Sequence, residues 1–195
     1  METLYEDSET GCCKRFDPAQ WEGRKVVLKD KLFVKDRVRS LFHVPLNFGG
    51  VMVRNRERIK AAEALPKDHL MLVDENSLWG ADVFIAVAKE VPEAENIRLS
   101  GTFRTKVFEG PYNRAGSWAK EMRAYVESKD ETLKKLYFFT TTCPKCATFY
   151  GKNYVVLFAE VGAPEKQEAA VPAGLVKEEK AGKKADGPEG KPEGV

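Results

Sequence analysis

Residues 102–118 read T-F-R-T-K-V-F-E-G-P-Y-N-R-A-G-S-W, and they contain the signals for a strand, a tight turn and the start of a helix. The segment 103–109 predicts a strand. This strand ends before Pro111, because proline has no N–H group to donate to a neighbouring strand. Asn113 is a residue type that caps helix N-termini, so a helix is expected to follow it. The segment therefore predicts a strand that turns sharply into a helix.

This pattern has a degenerate copy upstream, in residues 41–52, which read L-F-H-V-P-L-N-F-G-G-V-M. At one constant offset, the matching residues are Phe42 and Phe108, Pro45 and Pro111, Asn47 and Asn113, Gly50 and Gly116. At the same offset, the apolar segment 70–73 falls on the apolar segment 136–139. An offset kept across strand, turn, helix and next strand is typical of internal duplication. We therefore expect two pseudo-repeats, at about residues 24–92 and 96–162.

Each predicted half contains a strand, a helix and two further strands. Helices are expected at 48–62 and at about 113–128, each with its apolar residues on one side. Segment 74–80, which reads D-E-N-S-L-W-G, is expected to form a turn-rich loop. Two such units predict an α+β fold, in which duplicated β-α-β-β units form a curved antiparallel sheet with two helices on one face. The seam between the halves is then the expected place for a pocket.

The overall charge is close to balanced. The chain has 195 residues with 32 basic and 30 acidic side chains, a net charge of +2 and 43% hydrophobic residues. This balance gives no electrostatic signal for nucleic acid, and no apolar run reaches the length of a membrane span. The N-terminal segment M-E-T-L-Y-E-D-S-E-T lacks the apolar core of a signal peptide. We therefore expect a cytoplasmic protein with neither nucleic acid nor membrane as a partner.

The composition changes along the chain and predicts three regions. Residues 1–22 are expected to form an irregular N-terminal arm with a cysteine pair, and residues 23–162 the folded domain. Residues 164–195 contain no aromatic residue and are rich in Pro, Gly, Ala, Lys and Glu. Such a segment cannot bury enough surface to offset the entropy lost on ordering, so a disordered tail is expected at 163–195.

The four cysteines form two close pairs, Cys12 with Cys13 and Cys143 with Cys146. The C-x-x-C spacing of the second pair lets both thiolates reach one tetrahedral metal ion, and the first pair can complete the ligand set. A structural zinc ion that joins the N-terminal arm to this loop is therefore one interpretation. Unmetallated, reduced thiols are the other. A thioredoxin-like redox role fits less well, because no βαβ frame is predicted here.

The motif F-E-G-P-Y at residues 108–112, before a helix and two strands in a duplicated frame, resembles the GyrI-like, SOUL-related family. That family includes the small-molecule-binding domains of multidrug-sensing regulators. The likeness covers roughly residues 24–161. The strings D-E-N-S-L-W-G at 74–80 and C-P-K-C-A at 143–147 resemble a subgroup labelled as hydrolases, some of which open strained DNA-alkylating natural products. The resemblance thus implies a protein that hydrolyses or sequesters an aromatic, electrophilic small molecule, without a cofactor in the chemistry.

The resemblance also implies a carboxylate near the start of a closing strand. In this sequence that strand starts with Asn153, and the equivalent position in the first half is Asp82. A carboxylate in an aromatic pocket can balance a bound cation or, when burial raises its pKa, activate a water molecule. Glu109, Asp82 and Glu75 are the candidates, with water activation assigned to Glu109 or Asp82. The alternatives are a solvated strand-end acid, a turn cap and a loop acid, respectively.

The remaining candidate residues are aromatic. The expected ligand-binding set, together with Glu75, consists of Trp79, Phe84, Tyr137, Phe139 and Tyr154. Tyr137 and Phe139 share one strand face and can line a wall together, with core packing as the alternative. Tyr112 can orient a substrate or water through its hydroxyl, and its alternative is to close the helix N-terminus.

Three functions stay open at this point. The first is an enzyme or sequestering protein for an aromatic small molecule, and the second is a binding module with the same pocket and no turnover. The third is an interaction domain in which the cysteine loop is structural. The chain is expected to be a monomer or a homodimer. It contains no phosphate-binding G-x-x-x-x-G-K, no G-x-S-x-G and no H-E-x-x-H motif.

Overall fold

The computed structural model describes residues 8–11, 13–41, 44–66 and 69–163. The strands within them are β1 (Lys25–Leu41), β2 (Val44–Pro45), β3 (Met71–Ser77), β4 (Gly80–Ala86), β5 (Glu95–Glu109), β6 (Thr132–Thr140) and β7 (Tyr154–Gly162). The α-helices are α1 (Phe48–Ala61), α2 (Ala115–Glu127) and α3 (Pro144–Tyr150), and short 3-10 helices lie at Pro18–Gln20 and Tyr112–Arg114. None of the helices in these residues is long and apolar enough to cross a membrane. Cys12 and residues 164–195, most of the predicted tail, lie outside the described residues.

The strands form one antiparallel sheet in the order β2-β1-β4-β3-β6-β7-β5. Strand β5 also pairs with β1, so the six long strands close into a barrel-like ring. The two halves of the chain meet at two junctions, β1 with β5 and β3 with β6, and the second has one registered pair, Val73 with Phe138. By contrast, β5 and β7 are paired along the whole of residues 102–109. The β3–β6 seam is therefore a narrow junction in the ring.

Helices α1 and α2 cover one face of this sheet, which we call the outer face. The side chains that α2 buries, Trp118, Met122 and Val126, recur every four residues and so lie on one side of the helix. They pack against apolar residues of β5, β6 and β7. Helix α1 buries Val51 against Val38 and Val83. Both helices predicted from the sequence thus lie on the same face of the sheet.

The opposite face, which we call the inner face, carries the other apolar cluster. Because side chains alternate along each strand, its members come from alternate positions of the same strands. This cluster consists of Phe33, Leu70, Leu72, Phe84, Ala86, Phe103, Tyr137, Val156 and Phe158. The strands are therefore apolar on both faces wherever a helix covers the outer one.

The structure adds two features to the predicted fold, the closure of the sheet and a third helix. The sequence predicts a curved antiparallel sheet, and β1 and β5, with 17 and 15 residues, are long enough to pair with two neighbours each and so close it into a ring. The predicted cysteine loop contains α3, which begins at Pro144 and is capped by Gly151 in the left-handed conformation. The order of elements is similar in the two halves, and their origin by duplication stays a prediction.

Strand β3 corrects the prediction of a loop at 74–80. It continues to Ser77, and the turn is confined to Leu78 and Trp79. The strand is longer than predicted because β3 pairs with β4 beyond the apolar segment, where Asp74 lies opposite Asp82. Pairing with a neighbouring strand thus overrides the turn preference of this polar segment. As a result, Asp74 and Glu75 project from opposite faces of the sheet.

Candidate functional site

Two aspartates face each other on the inner face. Asp74 on β3 and Asp82 on β4 are direct partners in the antiparallel register, which places their Cβ atoms about 4.5–5.5 Å apart. Only 8% of the Asp74 side chain and 14% of the Asp82 side chain are exposed. We call these two residues the acid pair.

Three basic side chains surround the acid pair. Lys135 Nζ lies 2.7 Å from Asp74 Oδ2, and Arg37 Nη1 lies 3.4 Å from Asp82 Oδ1. Lys35 Nζ lies 3.8 Å from Asp82 Oδ2. Two neighbouring carboxylates with little exposure repel each other unless cations offset their charge. The three basic side chains therefore offset the negative charge of the acid pair at the edge of the core.

Lys135 and Tyr137 supply hydrogen-bond donors beside the acid pair. Burial alone would lower the pKa of Lys135, but its hydrogen bond to Asp74 and the neighbouring Tyr137 raise that pKa above its ordinary value. Burial raises the pKa of Tyr137. Lys135 Nζ also lies 5.1 Å from the centre of the Tyr137 ring. At neutral pH, Lys135 is thus charged and Tyr137 is neutral, so each has an N–H or O–H group that can donate to a ligand.

An aromatic wall adjoins the acid pair on the inner face, and we define it as Phe84, Phe103, Tyr137, Phe139 and Phe158. Tyr137 meets Phe84 edge to face at 5.8 Å between ring centres and Phe103 at 6.2 Å. Phe139 meets Phe158 at 6.4 Å. Asp82 precedes Phe84 by two residues on β4, so both side chains project from the same face. Carboxylates thus lie directly beside rings that meet edge to face.

The N-terminal arm covers the part of this wall that Phe139 and Phe158 form. Trp21 packs against Phe139 at 5.8 Å and Phe158 at 5.3 Å between ring centres, and Phe16 packs against Tyr154 at 5.6 Å. The Thr105 hydroxyl donates to the Trp21 carbonyl at 2.5 Å. Phe139 and Tyr154, both predicted to bind a ligand, contact the arm in this structure.

Two other predicted residues, Tyr112 and Glu75, meet on the outer face of the seam. The Tyr112 hydroxyl donates a hydrogen bond to Glu75 Oε1, and the Tyr112 ring lies 6.1 Å from that of Phe138. Burial is the largest cause that raises the pKa of Tyr112, and the charge of Glu75 and its hydrogen bond raise it further. The phenol therefore stays protonated and links β3 to the turn before α2.

Glu109 and Trp79 lie apart from these groups. The Glu109 side chain is 47% exposed and pairs with Lys152 at 2.6 Å. Glu109 is the last residue of β5, whereas β5 pairs with Lys35 of β1 at its first residue. Trp79, at the β3–β4 turn, is 60% exposed. The structure thus brings together Asp82, Phe84 and Tyr137, and separately Tyr112 and Glu75, whereas Glu109 joins neither group.

Sequence reasoning did not identify Asp74 and Lys135. Asp74 fell within the predicted loop, and Lys135 lay one residue before the predicted strand. Both lie on alternate positions of regular strands, so strand boundaries shifted by a few residues would have placed them on the same face as Tyr137.

An open cavity of about 460 Å³ lies between β1 and α1. Its lining consists of Lys35, Asp36, Arg37, Arg54, Asn55, Arg58, Ala94 and Glu95. Lys35 and Arg37 line this cavity and also pair with Asp82. The cavity is charged, so it suits the polar part of a ligand better than a flat aromatic ring.

Three of the four cysteines lie together, and they can hold a metal ion. The sulfur atoms of Cys13, Cys143 and Cys146 all lie within 4.8 Å of one another. The Cys143 N–H donates to Cys13 Sγ at 3.4 Å, and Thr10 Oγ1 lies 3.2 Å from Cys146 Sγ. The hydrogen bond with Thr10 is the main reason that the pKa of Cys146 is lowered to about 7. Burial acts in the opposite direction, and the hydrogen bonds with Cys143 and Cys13 lower the pKa further. The arm and the β6–α3 loop thus meet at a cluster of thiols.

Comparisons with known proteins agree with this fold. A family model described as "Bacterial hydrolase" matches residues 3–161, and among the curated proteins none matches the sequence. A hydrolase from Listeria innocua superimposes with a TM-score of 0.53 at 12% identity, over 72% of this chain and 92% of that chain. An uncharacterized conserved protein from Listeria innocua gives 0.55 at 10% identity, over 72% and 92%. The EcmrR C-terminal domain gives 0.54 at 10% identity, over 73% and 98%. At these identities the likeness concerns the fold, and it fits the GyrI-like resemblance of residues 108–112.

Proposed function

This chain belongs to the bacterial hydrolase family, and from that membership we propose that it binds an aromatic small molecule on the inner face of its sheet and hydrolyses it. Within the GyrI-like fold, we assign it to the hydrolase subgroup that its motifs resemble. The single observation that carries the proposal is the acid pair, Asp74 and Asp82, held at the edge of the aromatic wall. Rings bind a flat apolar substrate, and a neighbouring carboxylate can activate water.

We assign the role of general base to Asp82. Its ion pairs to Arg37 and Lys35, at 3.4 and 3.8 Å, are longer than the 2.7 Å pair between Asp74 and Lys135. Asp82 therefore accepts a proton from a water molecule whose oxygen bonds to the electrophilic carbon of the substrate. The bond from that carbon to the leaving group breaks, and the leaving group takes up the proton that Asp82 accepted. Lys135 and Tyr137 donate hydrogen bonds to the oxygen on which negative charge develops. Phe84 and Phe139 hold the aromatic part of the substrate.

Tyr112 and Glu75 are the second candidate position for the chemistry. Their hydrogen bond places a neutral phenol against a carboxylate at the outer side of the seam. Glu75 would then act as the base, with Tyr112 as the donor. Glu109 is the weakest of the predicted acids, because it is half-exposed and paired with Lys152. Trp79 and Tyr154 are proposed to contact the substrate at its periphery.

The test is turnover of a panel of aromatic esters and strained aromatic electrophiles. Asp82→Asn is expected to reduce kcat/KM about 10²- to 10⁴-fold, the range that a general base contributes. Glu109→Gln is the matched control and is expected to leave kcat/KM unchanged. If Glu75→Gln or Tyr112→Phe removes turnover and Asp82→Asn does not, the reaction does not take place at the acid pair.

A binding module without turnover is the second candidate function. It is supported by the tight ion pair that engages Asp74, since a carboxylate held in this way suits binding better than proton transfer. Such a protein would bind compounds of the panel, release them unchanged and lose affinity in Asp82→Asn.

The cysteine cluster supports a structural zinc ion, outside the reaction itself. Tetrahedral Zn–S bonds of about 2.3 Å require sulfur atoms about 3.8 Å apart, and the three sulfurs already lie within 4.8 Å. Thr142, next to Cys143, buries a hydroxyl that has no hydrogen-bond partner among the described residues, which is rare and supports a further group in this loop. We assign Cys13, Cys143 and Cys146 as ligands, with Cys12 as the fourth. Metal analysis of untagged protein should find about one zinc per chain, and far less than one would contradict the assignment.

A further inference from the structure

We infer that the cysteine cluster is a regulatory metal site: the ion holds the N-terminal arm over the aromatic wall, and its loss uncovers that wall to an aromatic ligand. The inference rests on the zinc site proposed above. It adds a means by which metal supply controls access to the inner face.

The cluster connects the arm to the strand that carries the wall. Cys13 lies on the arm, whereas Cys143 and Cys146 lie on the loop and helix that follow β6. Tyr137 and Phe139 of the wall lie on β6 itself. The Tyr150 hydroxyl of α3 donates to the Cys13 carbonyl at 2.6 Å, so α3 holds the arm beside the sulfurs as well.

The short stretch after Cys13 carries the rings that cover the wall. Phe16 lies over Tyr154, and Trp21 lies over Phe139 and Phe158. Both rings are only partly buried, so the apolar contact that holds them is incomplete. A flat ligand on the wall would contact the same faces of Phe139 and Phe158, and it therefore competes with Trp21.

The remaining links between arm and sheet are few and polar. The Glu22 carboxylate accepts a hydrogen bond from the Val107 N–H at 2.7 Å, and the Thr105 hydroxyl donates to the Trp21 carbonyl. The metal site lies at the opposite end of the covering stretch from these two bonds. With the ion bound, both ends of the stretch are fixed. Without it, the Cys13 end keeps the hydrogen bond from Tyr150 and the contact of Arg15 with the Tyr150 ring. The stretch then depends more on the end that Glu22 and Trp21 hold.

The first test is hydrogen exchange of single backbone amides in the full chain, followed by NMR with zinc bound and after removal by a chelator. The Val107 amide donates to the arm, so we expect it to exchange at least about tenfold faster without zinc. The Leu157 amide, at the centre of β7 between β5 and β6, is the control and should not change. Equal exchange of Val107 in both states overturns the inference, as does an equal acceleration of Leu157, which would mean that zinc stabilises the whole fold.

The second test uses the neutral aromatic dye Nile red and leaves the cysteines intact. Trp21→Ala with zinc bound is expected to bind the dye as well as the zinc-free protein does. Leu46→Ala is the control, because Leu46 is an exposed apolar residue without a proposed ligand contact, and it should bind no more than the unaltered protein. Equal dye binding by Trp21→Ala and Leu46→Ala overturns the inference. Neither measurement requires a substrate, so both stay valid if the protein turns out not to be a hydrolase. If the chain binds no zinc, both the inference and the zinc proposal are wrong.

Discussion

Asp74 and Asp82 are direct cross-strand partners on the inner face of the sheet, yet they are held by different cations, Lys135 for the first and Arg37 with Lys35 for the second. Like charges directly opposite each other destabilise a pair of strands. The arrangement therefore depends on its basic neighbours.

Removing Lys135 is expected to leave Asp74 as a buried carboxylate without its close cation. We expect Lys135→Met to lower the free energy of unfolding by about 1–3 kcal/mol, the range for a buried polar group that loses its partner. Denaturant unfolding measures this change. The control is Lys134→Met, at an exposed neighbouring position, where the change should stay within about 0.5 kcal/mol. Equal effects of the two variants would mean that Lys135 does not stabilise Asp74.

The Tyr112–Glu75 hydrogen bond predicts a pH dependence at alkaline pH. The pKa of Tyr112 is raised in the folded state from its ordinary value of 10.0, so the unfolded chain loses this proton at lower pH than the folded chain. The stabilisation is therefore complete below pH 10 and declines as the pH rises above it. Denaturant unfolding between pH 8 and pH 11 should show a decline that Tyr112→Phe removes in part. A decline of the same size in that variant would contradict the assignment.

Arg104 and Glu131 form a largely buried, two-pronged ion pair, with N–O distances of 2.8 and 2.9 Å. The hydrogen bond to Arg104 lowers the pKa of Glu131 below its ordinary value of 4.5. Its stabilisation is thus present above pH 4.5 and is lost as the pH falls below it. We expect Glu131→Gln to cost about 1.5–3 kcal/mol at pH 7.

The exposed ion pair of Glu121 with Lys106 provides the comparison for this prediction. Glu121→Gln should change the free energy of unfolding by less than about 1 kcal/mol, because exposed pairs contribute little. The difference in free energy of unfolding between the unaltered protein and Glu131→Gln should also become smaller as the pH falls from 5 to 3. A difference that stays constant over that range would show that the pair is not the source of the stability.

Gly80 begins β4 where that strand approaches β1 closely. A Cβ atom at this position would lie 2.8 Å from the Val38 carbonyl oxygen, so Gly80→Ala requires the backbone to move and should destabilise the fold by about 1–3 kcal/mol. Gly116, in α2, has no atom within 4 Å of such a Cβ. Gly116→Ala should therefore be neutral or stabilising by up to about 1 kcal/mol. Thermal unfolding of both variants tests the contrast, and a stable Gly80→Ala protein would contradict the close approach.

The elements that rest on local signals could be predicted from the sequence. The stripe of Trp118, Met122 and Val126 identified α2 and its buried side, and the proline after residue 109 marked the end of β5. Both signals depend on residues near one another in the chain. They therefore required no knowledge of the rest of the fold.

Features that depend on distant partners could not be predicted in this way. The closure of the ring requires β1 to pair with β5, which no local pattern encodes. Asp74 lies in a polar segment that becomes a strand only because β4 pairs with it. Tyr112 and Glu75 were identified singly, but their contact depends on the meeting of β3 with the turn before α2. The candidate site was therefore found in part: Asp82, Phe84 and Tyr137 without Asp74 and Lys135.

The place where a ligand binds decides whether the inner face is the functional site. Isotope-labelled protein, with and without zinc, would be titrated with a compound from the aromatic panel while its chemical shifts are followed by NMR. We predict that the largest changes occur at Asp82, Phe84, Tyr137 and Phe139 on the inner face, with the Glu109–Lys152 pair unchanged. Changes confined to the outer face around Tyr112 and Glu75, or to the exposed surface, would contradict the assignment of the inner face as the functional site.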